Sequence, residues 1–189
     1  MSLIVYDCET RKSVMKHGET AQPGIDYAAS WGDKVGMGIS VVCAFVFGTG
    51  FRIFMEDNLA ELKALAADPL NLMVGWNSDA FDEPLLAAHD IPIANGYDLM
   101  RTVSTAAGVA RMKLSDACLA NGIAAKADGA GALAPILWQQ RRYGQLTDYC
   151  LSDVARTVKL LELALHGRLR MPPSFTAITV DTSRLIRFM

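Results

Sequence analysis

No charge of one sign dominates this chain. Its 18 lysines and arginines stand against 20 aspartates and glutamates, a formal net charge of −2. A general basic face for nucleic acid is therefore not expected, although an enzyme can confine its positive charge to one groove. Cysteine is sparse: Cys8, Cys43, Cys118 and Cys150 are widely spaced and form no CxxC pair. That argues against a zinc knuckle and a disulfide framework and fits a reducing compartment. His17, His89 and His166 have no spacing for joint metal binding, and no cysteine shows the partnered base a thiol nucleophile needs. The apolar run 35–47 is too short and too β-branched to cross a membrane and reads as a buried strand. With no basic start followed by a small-residue cleavage site, a cytoplasmic location is expected. There is no internal repeat and no low-complexity tract.

What is present is apolar material. Hydrophobic residues make up 51% of the 189 and charged residues 20%, enough for one domain over residues 1–189 with a substantial core. Residues 3–6 form a first strand. Residues 13–34, with Gly18, Pro23, Gly24 and Gly32, suit a loop. Residues 39–47 and 51–54 flank Gly48-Thr49-Gly50 as a hairpin. Asp57 or Asn58 caps a helix to Ala67 with Leu59, Leu62, Leu65 and Ala66 inward. A strand over 70–76 follows, then a helix started by Ser78 or Asp79 that carries Leu85, Leu86 and His89. Residues 98–108 and 115–119 suit short helices, and 124–134 reads as a mobile loop. Residues 146–166 carry the best helical pattern, closed by Gly167. Residues 175–180 and 184–188 look like short strands or edge segments. Strands followed by helices, with an early hairpin, predict an α/β fold with a mixed sheet.

Asp7 and Glu9 close the first strand. Residues two apart on an extended strand share a face, so two carboxylates leave the sheet edge together. Seen alone, such a pair is equally an ordinary solvated strand end. Asp82 falls in the first turns of a helix, where free N–H groups favour an anion; plain capping accounts for it as well. Tyr149 and Asp153, at i and i+4, put a phenol beside a carboxylate on one side of the long helix, or form a structural pair. Metal chemistry explains why such groups would gather. Mg²⁺ prefers carboxylate and water oxygens, and two ions about 4 Å apart can activate water and stabilise a leaving 3′-oxygen.

Three segments in order carry a resemblance. Residues 5–10 (VYDCET), 77–82 (NSDAFD) and 149–153 (YCLSD) resemble the three motifs of the DEDD 3′–5′ exonuclease superfamily in its tyrosine form. They are most similar to the proofreading exonuclease domain of family B-like DNA polymerases, here as a stand-alone chain. The resemblance covers roughly residues 1–166, and Asp98 to Arg101 and Lys126 to Gly129 look like weaker landmarks. It implies a ribonuclease H-like mixed sheet flanked by helices. It implies two Mg²⁺ or Mn²⁺ ions held by Asp7, Glu9, Asp82 and Asp153, with Tyr149 positioning the attacking water. The implied activity releases nucleoside 5′-monophosphates from the 3′ end of single-stranded DNA, beside a polymerase or repair partner. No residue accepts or rejects a 2′-hydroxyl, so an exoribonuclease stays open, as does a non-catalytic nucleic-acid-binding or polymerase accessory module.

For the substrate path, Asn77 orders the cleft or forms a turn, and Phe81 or Trp31 stacks on a terminal base or packs in the core. Lys113, Lys126, Arg141 and Arg142 are the candidate phosphate contacts, each also readable as a solvated surface residue. Arg101 joins them or braces the local fold. Cys8 and Cys150 read as small buried residues.

Overall fold

The computed structural model describes residues 1–124, 130–172 and 175–188. A five-stranded sheet is ordered β5-β4-β1-β6-β7. Its centre is β1 (Ser2–Thr10), antiparallel to β4 (Ile39–Val46) and parallel to β6 (Asn71–Gly75). The edges are β5 (Gly50–Phe54), the return arm of the expected hairpin, and β7 (Gly96–Asp98). Between β1 and β4 lie a parallel pair, β2 (Ser13–Val14) and β3 (Tyr27–Ala28), and the single-turn α1 (Lys34–Met37).

The alternation of β1 sorts its side chains between two cores. Leu3 and Val5 join Val41 and Cys43 on one face, packed by α4 (Leu99–Ala107), α5 (Leu114–Ala120), α6 (Ala134–Gln139) and α7 (Tyr143–Leu165). Ile4, Tyr6 and Cys8 join Val42 and Ala44 on the other, packed by α1, α2 (Leu59–Ala67) and α3 (Asp82–Ala87). Both faces of the sheet are covered, so its central strands read as continuous apolar runs. The result is an α/β fold with a mixed central sheet between helical layers, a ribonuclease H-like arrangement. Among the described residues no helix is long and apolar enough to cross a membrane.

Helix α7 ends as its sequence indicates. Gly167, at φ +64°, donates to Ala164 O and Arg168 N–H donates to Leu163 O, the paired closure that a left-handed glycine allows. Asn58 occupies the N-cap of α2, but its side chain accepts from Met55 N–H instead of the helix.

The fold departs from expectation at the start of α3, at 134–139 and in the tail. The helix expected over 98–108 is α4, capped by Asp98, which also ends β7, and closed by Gly108 in the left-handed conformation, whereas α3 begins at Asp82 and not at Ser78 or Asp79. Residues 134–139 form α6, opened by Pro135 in its first turn, where the missing N–H costs nothing. The tail does not form strands at 175–180 and 184–188. Ala177 makes one isolated bridge to Arg170, and α8 (Ser183–Ile186) follows, its start organised by the Asp181 carboxylate accepting from Ser183 N–H. Of the expected 124–134 loop, 130–133 form a 3₁₀ turn and 125–129 lie outside the described residues.

Candidate metal centre

The strand β1 runs further than expected, to Thr10, so Asp7 and Glu9 belong to it. Asp7 lies opposite Cys43 and Glu9 opposite Val41, both on the face that α7 covers. Helix α7 crosses β4 and β1 with Leu146, Cys150 and Val154 buried, which turns Tyr149 and Asp153 to the end of β1. Asp7, Glu9 and Asp153 there each offer a carboxylate oxygen, and the three lie within 4.8 Å of one another. All three residues are half-buried. Like charges 4 Å apart repel by about 4 kcal/mol at an effective dielectric near 20. Such a group could hold a cation.

One cation is built in. Arg156 Nη1 lies 3.2 Å from Asp153 Oδ1 and 2.6 Å from Ser152 Oγ, while its Nε donates to Ala124 O at 2.7 Å. That positive charge offsets part of the repulsion among the carboxylates. Hard oxygen donors, with no thiolate or imidazole in the group, fit Mg²⁺ or Mn²⁺ better than zinc. The donor set thus suits a divalent ion.

Two neighbours shape the centre. The Cys150 thiol donates to Asp7 O at 3.3 Å and to Asp7 Oδ2 at 3.5 Å, tying the helix to the first carboxylate. Burial pushes the Tyr149 phenol well above its ordinary pKa, and the charges of Glu9, Asp153 and Asp7 push it further. It stays protonated at neutral pH.

These groups line an open cleft of about 700 Å³, whose far wall is Trp76, Asn77, Arg111, Met112 and Lys113. Asn77 takes φ +63°, which reverses the chain after β6. The turn hangs on Asp98, whose carboxylate accepts from the N–H groups of Asn77 (3.1 Å), Asp79 (3.2 Å) and Arg101 (2.9 Å). Burial, and then the hydrogen bond shared with Asp79, raise the Asp98 pKa to about 6. Gly75 permits the turn, since a Cβ there would lie 2.4 Å from Ser78 Cβ.

Asp82 stands apart from the three gathered carboxylates. The β1–β6 ladder stops at Val5–Val74, leaving the rest of β1 without that neighbour. Asp82, the first residue of α3, fills the gap by accepting from Cys8 N–H at 3.0 Å. Its burial raises its pKa to about 7, the Cys8 hydrogen bonds pull it back, and Asp98 adds a smaller increase. The bond from Cys8 N–H holds it at the open edge of β1, beside the residue that separates Asp7 from Glu9.

The structure disperses the remaining substrate candidates. Phe81 packs edge-on to Trp31, ring centroids 6.3 Å apart, beneath Lys34 Nζ at 3.9 Å from its ring. Arg101 pairs with Asp79 at 3.0 Å, away from the cleft wall. Arg141 and Arg142 lie in the turn that leads into α7, outside the cleft, and Lys126 lies outside the described residues. Lys113 is in the wall, as is Arg111, which sequence reasoning passed over. Arg156 was missed too; its place one turn after Asp153 was the available signal.

The fold and the gathered carboxylates define an α/β protein with a candidate divalent-metal centre at the end of its central strand. No family model matches the chain, and no curated protein does. Solved structures do. The family B DNA polymerase of the hyperthermophilic archaeon Pyrobaculum calidifontis aligns over 87% of this chain at 17% identity and TM-score 0.59. The chain spans 24% of that polymerase. E. coli exonuclease I, solved with a 5cy-dT13 oligonucleotide, aligns over 78% of this chain and 42% of its own at 15% identity and TM-score 0.40. At these identities the likeness is one of fold.

Proposed function

We propose that this chain is a metal-dependent 3′–5′ exonuclease that releases nucleoside 5′-monophosphates from single-stranded DNA. The observation that carries the reading is the meeting of Asp7, Glu9 and Asp153 beside Tyr149 in one open cleft. The motif resemblance supports it, as does a fold shared with part of a DNA polymerase.

Divalent ions held there would supply activation of the attacking water and neutralisation of charge on the leaving 3′-oxygen. Asp7, Glu9 and Asp153 would hold one ion, and Asp82, at the open edge of β1, would supply the fourth carboxylate. Tyr149 orients the attacking water by hydrogen bonding. Arg111 and Lys113 in the opposite wall hold the phosphates behind the scissile bond without reading sequence.

A 5′-labelled oligonucleotide with a free or blocked 3′ end, in Mg²⁺, Mn²⁺ or chelator, tests the proposal. A ladder shortened from the free end only, abolished by chelator, is expected. Asp7→Ala is expected to lower the rate by at least about a hundredfold, the upper effect of disturbing even an outer partner of a metal ligand, with its circular dichroism unchanged. Equal cutting of blocked and free strands would defeat the assignment. A matched RNA strand in the same assay reads sugar preference.

A further inference from the structure

Beyond the wall of the carboxylate cleft lies a second groove, of about 620 Å³, lined by Val109, Met112, Leu119, Pro172 and Phe175. Arg111, Met112 and Asp116 line both spaces, so the two adjoin. The groove exposes large apolar groups that would ordinarily be covered: Leu119 is 66% and Phe175 56% accessible. Phe175 also takes φ +54°, a conformation that costs a bulky residue energy and is kept only where surrounding structure enforces it.

That enforcement is visible. Asn121, at the end of α5, donates to Arg170 O at 2.7 Å and accepts from Arg170 N–H at 2.8 Å. Ile178 N–H donates to Leu169 O at 2.8 Å, and Phe175 N–H to Met171 O at 2.9 Å. Leu169 and Met171 are buried in the main core. The tail is thus pinned on both sides of an aromatic ring that faces outward.

We propose that the C-terminal tail and α5 form a nucleobase subsite, in which one or two unpaired bases upstream of the reacting 3′ nucleotide rest on Phe175 and Leu119. This deepens the exonuclease reading and rests on it. The chemistry of the join selects the occupant. Arg111, exposed and without an ion pair among the described residues, sits where the strand would pass from groove to cleft and can take a phosphate. Asp116 repels phosphate but accepts from base amino groups. An aromatic face serves every base alike, which suits an enzyme that must accept any sequence.

The test is anisotropy of the full chain in chelator, without turnover, using a fluorescein-labelled dT12 and a dT12 with abasic residues next to its 3′ nucleotide. The wild type is expected to favour the intact strand by roughly 5- to 20-fold. Phe175→Ala and Leu119→Ala are each expected to erase most of that preference, while Phe51→Ala, an equally exposed ring on the β5 edge, retains it. Full base preference in Phe175→Ala would overturn the subsite and leave the nuclease reading standing. Equal weakening for both strands would overturn it likewise. Self-association of the wild type that Phe175→Ala abolishes would make the groove an interface between copies instead. Wild-type chain that binds neither strand would overturn the subsite and the nucleic-acid reading together.

Discussion

A carboxylate held near two others is costly until a cation arrives, and the residues around Asp7 manage that cost. Arg156 braces Asp153, and the Cys150 thiol braces Asp7. Because outer partners of metal ligands tune affinity by about 10- to 100-fold, Cys150→Ala is expected to weaken Mn²⁺ binding by about tenfold, with Cys150→Ser closer to wild type. Titration calorimetry checks this, and equal affinity in all three would reduce Cys150 to a packing residue. Tyr149→Phe is expected to lower turnover by about 10- to 100-fold, with metal affinity unchanged. Single-turnover rates at saturating Mn²⁺ measure the first and calorimetry the second. Strand alternation pairs Asp7 with Glu9 and helical spacing pairs Tyr149 with Asp153, but only the motif resemblance implied that the two pairs meet. The role of Cys150 was not legible in the sequence. Helical offset places a thiol in the core but does not say which strand atom it meets.

The connection from β6 through α3 and β7 to α4 is where elements, more than single groups, place the cleft wall. Asp98 ends one strand, caps one helix and holds the Asn77–Asp79 turn. Its pKa near 6, against an ordinary 3.8, means the folded chain binds that proton more tightly than the unfolded chain does. Stability from this group is therefore fully present below about pH 4 and falls as pH rises to about 6. The Asp79 pKa is lowered, chiefly by its hydrogen bond to Asp98, so its opposite effect falls below that window. Urea unfolding between pH 4 and 7 is expected to show this decline in the wild type and a flatter profile in Asp98→Asn. Long elements such as β4 and α7 could be read from periodicity. The three residues of β7 and six of α6 are too few to establish a period, and the apolar residues of 175–188 mimicked strands where hydrogen bonding to Asp181 and Thr182 starts a helical turn.

At the scale of the molecule, the decisive fact is sheet order. With β1 central, its apolar residues divide between two cores and its end projects past β6. That overhang is where α7 delivers Asp153 beside Asp7 and Glu9, and α3 delivers Asp82 to the backbone at Cys8. Local patterns do not encode strand order, so the separation of Asp82 from the other three carboxylates came only from the folded chain. Mn²⁺ binding followed by electron paramagnetic resonance tests the account most directly. The wild type is expected to take up Mn²⁺, with Asp7→Asn and Asp153→Asn each losing most of that uptake while keeping the fold. Wild-type protein with no more affinity for Mn²⁺ than the two variants would contradict it.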